Sequence, residues 1–361
     1  MEQKWNEDDL VLAVVEVEPE AENISSFVRK LKEKCSLDAG DSLLVGYEAG
    51  CLGYSLHRKL ADLGIPCVIL APTTMWTTQG KRVKTDPRDA KQIAECLLYG
   101  TYHSVYIPDQ LDEGVKEYIR MRDDHRDQLK KLKQQINAIA LRHGHHYTRS
   151  KWQKSHLKWL EEIELDPFSR ETLNEYLITF RYMENRIETL ERRIIEMSGI
   201  DRYEERVRKL RCFLGIETGA ALSLIVETGD FERFSKGNIY ASYLGLAPGE
   251  NSSGESIRRG GISKTGNTHL RTLLIESAQS IGRGRIGFKG KVLKSRQAGN
   301  TSEVIAYADR ANERLRRKYY RLISRGKPRN VAVAAVAREL ACFVWGMMTG
   351  NMDPAALGQL S

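Results

Sequence analysis

Ser42-Leu43-Leu44-Val45-Gly46-Tyr47-Glu48-Ala49-Gly50-Cys51-Leu52-Gly53-Tyr54 is the stretch on which the fold turns. Its first half is a short apolar run that reads as a strand over Ser42–Tyr47. The glycines that follow, Gly50 and Gly53, let the backbone turn tightly into a helix. That helix is expected over Tyr54–Leu63, then a strand over Pro66–Leu70 and a helix over Asp86–Tyr99. A strand over Val105–Ile107 closes the segment at Pro108. Upstream, Leu10–Val17 reads as a β-rich apolar run and Ile24–Lys34 as a helix. Alternating strands and helices imply a sheet with helices packed on it, so residues 1–108 are expected to be an α/β domain.

The next segment, 109–200, changes character. Leu129, Leu132, Ile136 and Ile139 recur at intervals of three and four residues, as do Leu173, Leu177, Phe180, Ile187, Leu190, Ile194 and Met197 farther on. Lys, Arg, Glu and Gln fill the faces between. This is coiled-coil spacing, and it predicts two long amphipathic helices forming an arm. An antiparallel hairpin, a dimerisation arm and a plain helical spacer all fit. His143, His145 and His146 come after the first helix; such a cluster can hold a metal, but following a basic helix it reads rather as a solvated helix end near phosphate. Residues 201–350 are expected to be mainly helical, with 351–361 as a tail. Within them, Leu214-Gly215-Ile216-Glu217-Thr218-Gly219 separates predicted helices Val207–Phe213 and Ala220–Glu227. Such a helix-hairpin-helix-like turn can aim N–H groups at a phosphate, or can need its glycines for packing alone.

With 361 residues the chain has room for two or three cores. Its six cysteines form no C-x-x-C pair, which argues against a zinc site or a disulfide framework. No apolar run of the roughly 18 residues that span a bilayer is evident, and the acidic start has no signal-peptide pattern. A cytoplasmic protein without a membrane partner is expected. Charge is unevenly distributed. Arg258 to Arg338 holds 20 Lys and Arg against 4 Asp and Glu, a net +16 in a chain of net +8, so the remainder sums to −8. A concentrated positive segment points to a polyanionic partner.

Three groups of residues can carry chemistry. Glu48 ends a predicted strand, and Asp86 and Asp89 lie three apart in Lys84-Thr85-Asp86-Pro87-Arg88-Asp89-Ala90. Strand-end and helix-start carboxylates offer hard oxygen ligands that suit Mg²⁺. Asp86 and Asp89 also fit as an N-cap and a complement to the helix dipole. The second group is the Ser- and Gly-rich loop Leu244 to Ser256, with Ser252 and Ser253 in the field of Arg258, Arg259 and Lys264, then Asn267, His269 and Arg271. Small residues admit a phosphate and cations neutralise it. An activated serine there could attack phosphorus, although such loops more often bind than react. The third is the basic stretch Arg314, Arg316, Arg317, Lys318, Arg321 and Arg325 interleaved with Tyr319 and Tyr320, which suits a nucleic-acid backbone or a solvated helix face.

At these residues the chain resembles the transposases and invertases of insertion-sequence family 110, the Piv-type DEDD–serine recombinases. The resemblance rests on Gly46-Tyr47-Glu48-Ala49-Gly50, Lys84 to Ala90, Tyr243-Leu244-Gly245-Leu246-Ala247-Pro248 through Ser252-Ser253-Gly254, and Gly261-Ile262-Ser263-Lys264-Thr265-Gly266-Asn267. It implies an RNase H-type, RuvC-like N-terminal domain, a coiled-coil arm and a C-terminal transposase domain. It further implies Mg²⁺ held by four acids, of which Glu48, Asp86 and Asp89 match three, and a serine nucleophile, Ser253 before Ser252. Dimers pairing into tetramers, and a bridge-type guide RNA that pairs with donor and target DNA, are implied as well.

The family's first strand carries an Asp ligand that has no match before Leu10–Val17; Asp8, Asp9 and Glu16 are the stand-ins at hand. Reduced or absent cleavage with retained nucleic-acid binding is therefore expected of the chain as written. Three functions compete: an RNA-guided DNA recombinase, a catalytically impaired RNA- or DNA-binding relative, and a RuvC-like metal-dependent nuclease.

Overall fold

The computed structural model describes residues 15–35, 43–72, 86–250 and 259–352. The chain divides into two compact units, Met1–Ile107 and Pro108–Ser361.

In the first unit, helix α1 (Ala21–Cys35) is followed by strand β1 (Val45–Glu48), helix α2 (Ser55–Asp62), strand β2 (Cys67–Leu70) and helix α3 (Asp86–Tyr99). β1 and β2 pair in parallel, with Val45 opposite Cys67 and Glu48 opposite Leu70. Parallel neighbours need a crossover, and α2 supplies it. Leu56 and Leu60 of α2, with Ala21 and Ile65, form a small core under the strands. α3 packs on β1 at Gly46, where a Cβ would lie 2.9 Å from a Leu97 methyl. Gly46 therefore sets how closely that helix approaches the sheet.

Two expectations for strands change. Val15–Val17 carries no strand, and Val15 and Val17 are exposed; residues 10–14 lie outside the described residues. Among the described residues no strand pairs with this segment, so its apolar β-formers have no ladder to join. In place of a strand at Val105–Ile107 there is a single antiparallel bridge, Leu70 to Ser104, flanked by Val105 N–H donating to Ile69 O. Pro108, without an N–H, stops any continuation.

Among its described residues the second unit is helical apart from one hairpin. Helix α4 (Gln110–Arg142) and helix α6 (Pro167–Ser198) pack lengthwise, joined through the short helix α5 (Lys154–Glu162). Arg122 meets Glu191 while Lys133 meets Glu184, so the two helices run antiparallel. Their starts are set by side-chain caps. Asp109 accepts from Asp112 N at 2.9 Å, and Asp166, ahead of Pro167, accepts from Phe168 N and Ser169 N at 3.1 Å. Leu132, Ile136 and Ile139 meet Leu173, Leu177 and Phe180 in a core of their own. At the other end, Val115, Ile119 and Ile194 join the main core of the unit, so the arm's base is continuous with it.

That main core is built by helix α7 (Asp201–Leu210), helix α8 (Thr218–Thr228), helix α9 (Gly237–Tyr243), strands β3 (Pro248–Glu250) and β4 (Arg259–Ile262), helix α10 (Thr268–Ile281), helix α11 (Lys291–Gln297), helix α12 (Ser302–Ser324) and helix α13 (Arg329–Met348). Tyr203, Phe213, Leu224, Tyr240, Leu274, Tyr307, Leu340 and Phe343 are fully buried there. Each buried apolar side chain of this size contributes roughly 1.5–3 kcal/mol. Contrary to the expectation that no such run exists, α13 is long and apolar enough to cross a bilayer by composition. Here it is a core helix: Val336, Leu340, Phe343 and Val344 have no exposed surface.

Candidate active site and nucleic-acid interface

Two glycine-bearing blocks, Tyr243–Pro248 and Gly261–Asn267, interlock. Gly245 O accepts from Lys264 N at 3.1 Å and Ala247 O accepts from Ser263 N at 2.9 Å. Contact this close needs glycine on both sides. Gly245 (φ +68°) would place a Cβ 2.1 Å from Thr265 O, and Gly266 (φ +71°) one 1.9 Å from Tyr243 O. Lys264 itself adopts φ 59°, which a side chain seldom does and which the surrounding bonds enforce. β3 and β4 extend the junction as an antiparallel pair, with Pro248 opposite Ile262 and Glu250 opposite Arg259. The segment carrying Ser252, Ser253 and Arg258 joins these strands and lies outside the described residues, as does the side chain of Arg259.

Arg271 clamps the junction from beneath. It is 8% exposed. Nη1 donates to Leu244 O at 3.0 Å and Thr265 O at 2.9 Å, and Nη2 to Thr268 Oγ1 at 2.9 Å. Expected at a phosphate, it is buried and holds the scaffold, with three of its donors used by Leu244 O, Thr265 O and Thr268 Oγ1.

Asn267 also looks inward. Its Oδ1 caps α10 by accepting from Leu270 N at 3.1 Å, and its Nδ2 donates to Glu227 at 2.9 Å. Glu227 is buried and takes a bidentate pair from Arg120 on α4, at 2.6 and 2.9 Å, with Lys116 at 4.0 Å. Burial pushes the Glu227 carboxyl up, but Arg120, Lys116 and Asn267 outweigh it and hold it below the usual carboxylate range. Beside this network, His269 Nε2 lies 2.8 Å from the buried Ser223 hydroxyl, and its Nδ1 3.7 Å from Asp123. Sequence reasoning does not reach Glu227, Arg120 and Lys116. The usable signal was a lone carboxylate at the end of the apolar run Leu222-Ser223-Leu224-Ile225-Val226.

The Gly215–Gly219 turn serves geometry. Gly215 (φ +82°) lies so close to α10 that a Cβ would sit 2.3 Å from Ser277 O. The adjoining cleft, of about 1040 Å³, carries Arg122, Arg126 and Lys130 but also five carboxylates, Glu217 among them. Glu217 pairs with Arg296 at 2.6 Å. An anion would meet more negative than positive groups there.

On α12 the cations divide. Arg314 and Lys318 both pair with the buried Glu339 of α13, Lys318 at 2.6 Å. Arg316, 7% exposed, donates through Nη1 to Arg285 O and Phe288 O, each at 2.7 Å. All three, expected at nucleic acid, have partners within the fold; Arg316 is buried, while Arg314 and Lys318 keep part of their side chains exposed. Arg317 remains outward and pairs with Glu313 of the preceding turn at 2.7 Å, and Arg321 is exposed.

In the first unit, Glu48 ends β1, half-buried, and Ala49 N–H donates to Leu70 O at 2.9 Å. Tyr47 fixes the turn beyond by donating its hydroxyl to Gly53 O at 2.8 Å. Asp89 stands in the first turn of α3, the helix seated on β1; the side chain of Asp86 lies outside the described residues. Among the described residues no three His, Cys, Asp or Glu side chains come together as a metal-holding group. Glu48 and Asp89 share a unit and offer the oxygen donors a hard divalent ion takes.

A family model described as Transposase, of the DEDD IS110 type, matches residues 14–144, and one described as Transposase IS116/IS110/IS902 family matches residues 207–289. The chain is similar to transposase y4qE of Sinorhizobium fredii, 36% identical over 304 residues, covering 83% of this chain and 74% of that protein. It is similar to the transposase for insertion sequence element IS1533 of Leptospira borgpetersenii, 29% identical over 311 residues, 83% of this chain and 86% of that one. The transposase for insertion sequence element IS1111A of Coxiella burnetii is 26% identical over 264 residues, 71% of each chain. With its two separate stretches matched in order and a relative of this identity spanning most of both chains, the protein belongs to the IS110 family of transposases.

Proposed function

We propose that this chain is a cytoplasmic DNA recombinase that breaks and rejoins strands through a serine hydroxyl, Ser253 before Ser252, with carboxylates of a RuvC-like first unit holding a divalent ion, Mg²⁺ by choice of ligand. Glu48, Asp89 and Asp86 are the residues that would hold it. When bound, the ion would withdraw charge from a phosphoryl oxygen. A phosphoserine link would conserve the phosphodiester's energy, so rejoining needs no nucleotide cofactor. Of the cations expected at nucleic acid, Lys264, Arg258, Arg259, Arg317 and Arg321 are the ones this reading assigns to it. A bridge-type guide RNA supplies sequence recognition in this reading, and dimers pair into tetramers.

The observation that carries the reading is the interlocking of Tyr243–Pro248 with Gly261–Asn267 in a transposase-family chain. A junction locked by two glycines, Arg271 and Asn267 gives both ends of the serine segment a fixed footing, as a positioned nucleophile requires.

Trapping tests it. The full chain is incubated with Mg²⁺ and DNA spanning the two ends of its own element, and protein–DNA adducts are sought on denaturing gels. An adduct mapped by mass spectrometry to Ser253 and lost in Ser253→Ala is expected, in low yield because the first acid of the ligand set has no match in this chain. Metal-dependent cutting that survives both Ser253→Ala and Ser252→Ala would instead mark a hydrolytic nuclease. Salt-sensitive binding with no cutting would mark a binding protein.

A further inference from the structure

The loop between α10 and α11, Gly282-Arg283-Gly284-Arg285-Ile286-Gly287-Phe288-Lys289-Gly290, takes no part in the junction at Gly245 and Gly266. Its backbone is tied down along its length. Tyr320 donates its hydroxyl to Gly284 O at 2.7 Å, and Arg316 donates to Arg285 O and Phe288 O. Glu313 accepts from Gly287 N at 2.9 Å, and Lys289 pairs with Asp309 at 2.7 Å. A Cβ on Gly284 would sit 1.9 Å from the Arg316 guanidinium, and one on Gly282 2.9 Å from the Tyr319 ring. Gly282 and Gly284 therefore lie against α12, and Arg283 and Arg285, which alternate with them, face out.

What faces out is specific. Arg283, Arg285, Ile286 and Phe288 are exposed, Phe288 by 64%. Val292, Lys291 and Lys294 continue the exposed surface on α11. Among the described residues no carboxylate pairs with Arg283, Arg285, Lys291 or Lys294. An aromatic ring on a braced backbone, amid unneutralised cations, matches what an unpaired nucleotide offers: a π-face for the ring and phosphates for the cations. An apolar protein surface fits less well, since it would have to desolvate those cations without neutralising them.

We infer that the Gly282–Gly290 loop binds unpaired nucleotides, with Phe288 stacking on a base and Arg283 and Arg285 meeting the adjoining phosphates. The inference rests on the reading of this chain as a nucleic-acid enzyme, and needs neither its serine nor its carboxylates.

The test measures binding of the full-length protein, by fluorescence anisotropy, to a labelled single-stranded DNA, the same sequence as RNA, and the fully paired duplex. Phe288→Ala is expected to weaken binding to one or both single strands about five- to a hundred-fold, the range one base–aromatic stack gives. Its effect on the duplex should stay under about twofold, and Phe288→Trp should keep the affinity. Which single strand responds tells whether the loop takes DNA or RNA. Paired Arg283→Gln and Arg285→Gln changes should reduce the slope of log K against log salt by about 1.4 on single strands. Unchanged single-strand affinity in Phe288→Ala, equal loss on the duplex, or an unaltered salt slope in the double variant overturns the inference. Since Phe288 is exposed, the variant's thermal unfolding temperature should match the parent's. A chain whose Ser253→Ala form still traps DNA can pass this test, and one that traps normally can fail it, so the two proposals fail separately.

Discussion

Two glycine-bearing turns of the second unit use a buried arginine in the same way to different ends. Arg271 draws in the carbonyls of Leu244 and Thr265, and Arg316 those of Arg285 and Phe288. Around Arg271 two turns are knitted to each other, with Gly245 and Gly266 in backbone contact and Asn267 bonded to Glu227. Around Arg316 the backbone and Lys289 are held, while Arg283, Arg285, Ile286 and Phe288 stand out into solvent. The first arrangement fixes where a chain segment begins and ends. The second presents a surface. In a basic protein of this kind, the cations that look most like contacts can be the ones that shape the surface others use.

Substitutions can break or sharpen that contrast. Gly266→Ala should have the largest effect, because it adds a side chain both at positive φ and 1.9 Å from Tyr243 O. A loss of about 3–5 kcal/mol is expected in urea unfolding. Arg271→Lys should cost about 2–3 kcal/mol, since an ammonium cannot reproduce the fork that bonds Leu244 O, Thr265 O and Thr268 Oγ1.

Glu227→Gln should cost about 2 kcal/mol at neutral pH, with the arm's base loosened in hydrogen exchange. Because the folded carboxyl is held below its usual 4.5, its contribution is complete above that pH and is lost as pH falls through the lowered folded value. Stability measured against pH should therefore flatten below about 4.5 in the variant relative to the parent. Gly287→Ala, at φ +75° with open space around it, should cost only about 1 kcal/mol. A loss as large as that of Gly266→Ala would erase the distinction between the two turns. Arg317→Gln with Arg321→Gln should leave stability within about 0.5 kcal/mol while lowering the salt dependence of DNA binding by about one unit for each phosphate left without its cation. Unchanged salt dependence would remove α12 from the interface.

Local rules made much of the fold legible. α3 begins and ends where its punctuation residues place it, at Asp86 before Pro87 and at Tyr99 before Gly100. The paired helices of the arm arise from apolar residues three and four apart, and the buried positions Leu132, Ile136, Leu173 and Phe180 lie on that stripe. Direction was not legible. Whether Arg316 or Arg317 faces inward depends on carbonyls some 30 residues earlier in the chain and on Glu339 of the next helix, and a helical period cannot tell which side of a basic helix will find partners. The same holds for Glu227, whose partners come from α4 and from the cap of α10. The junction of Tyr243–Pro248 with Gly261–Asn267 was legible only as two glycine-bearing motifs, since no local rule says that two turns will touch.

The bidentate bond between Arg120 and Glu227 has a mechanical consequence. Arg120 rides on a helix of 33 residues, about 50 Å long, while the same carboxylate grips Asn267 at the foot of the serine segment. One carboxylate thus ties the root of that beam to the cap of α10, and a displacement of α4 at Arg120 would bear first on Asn267.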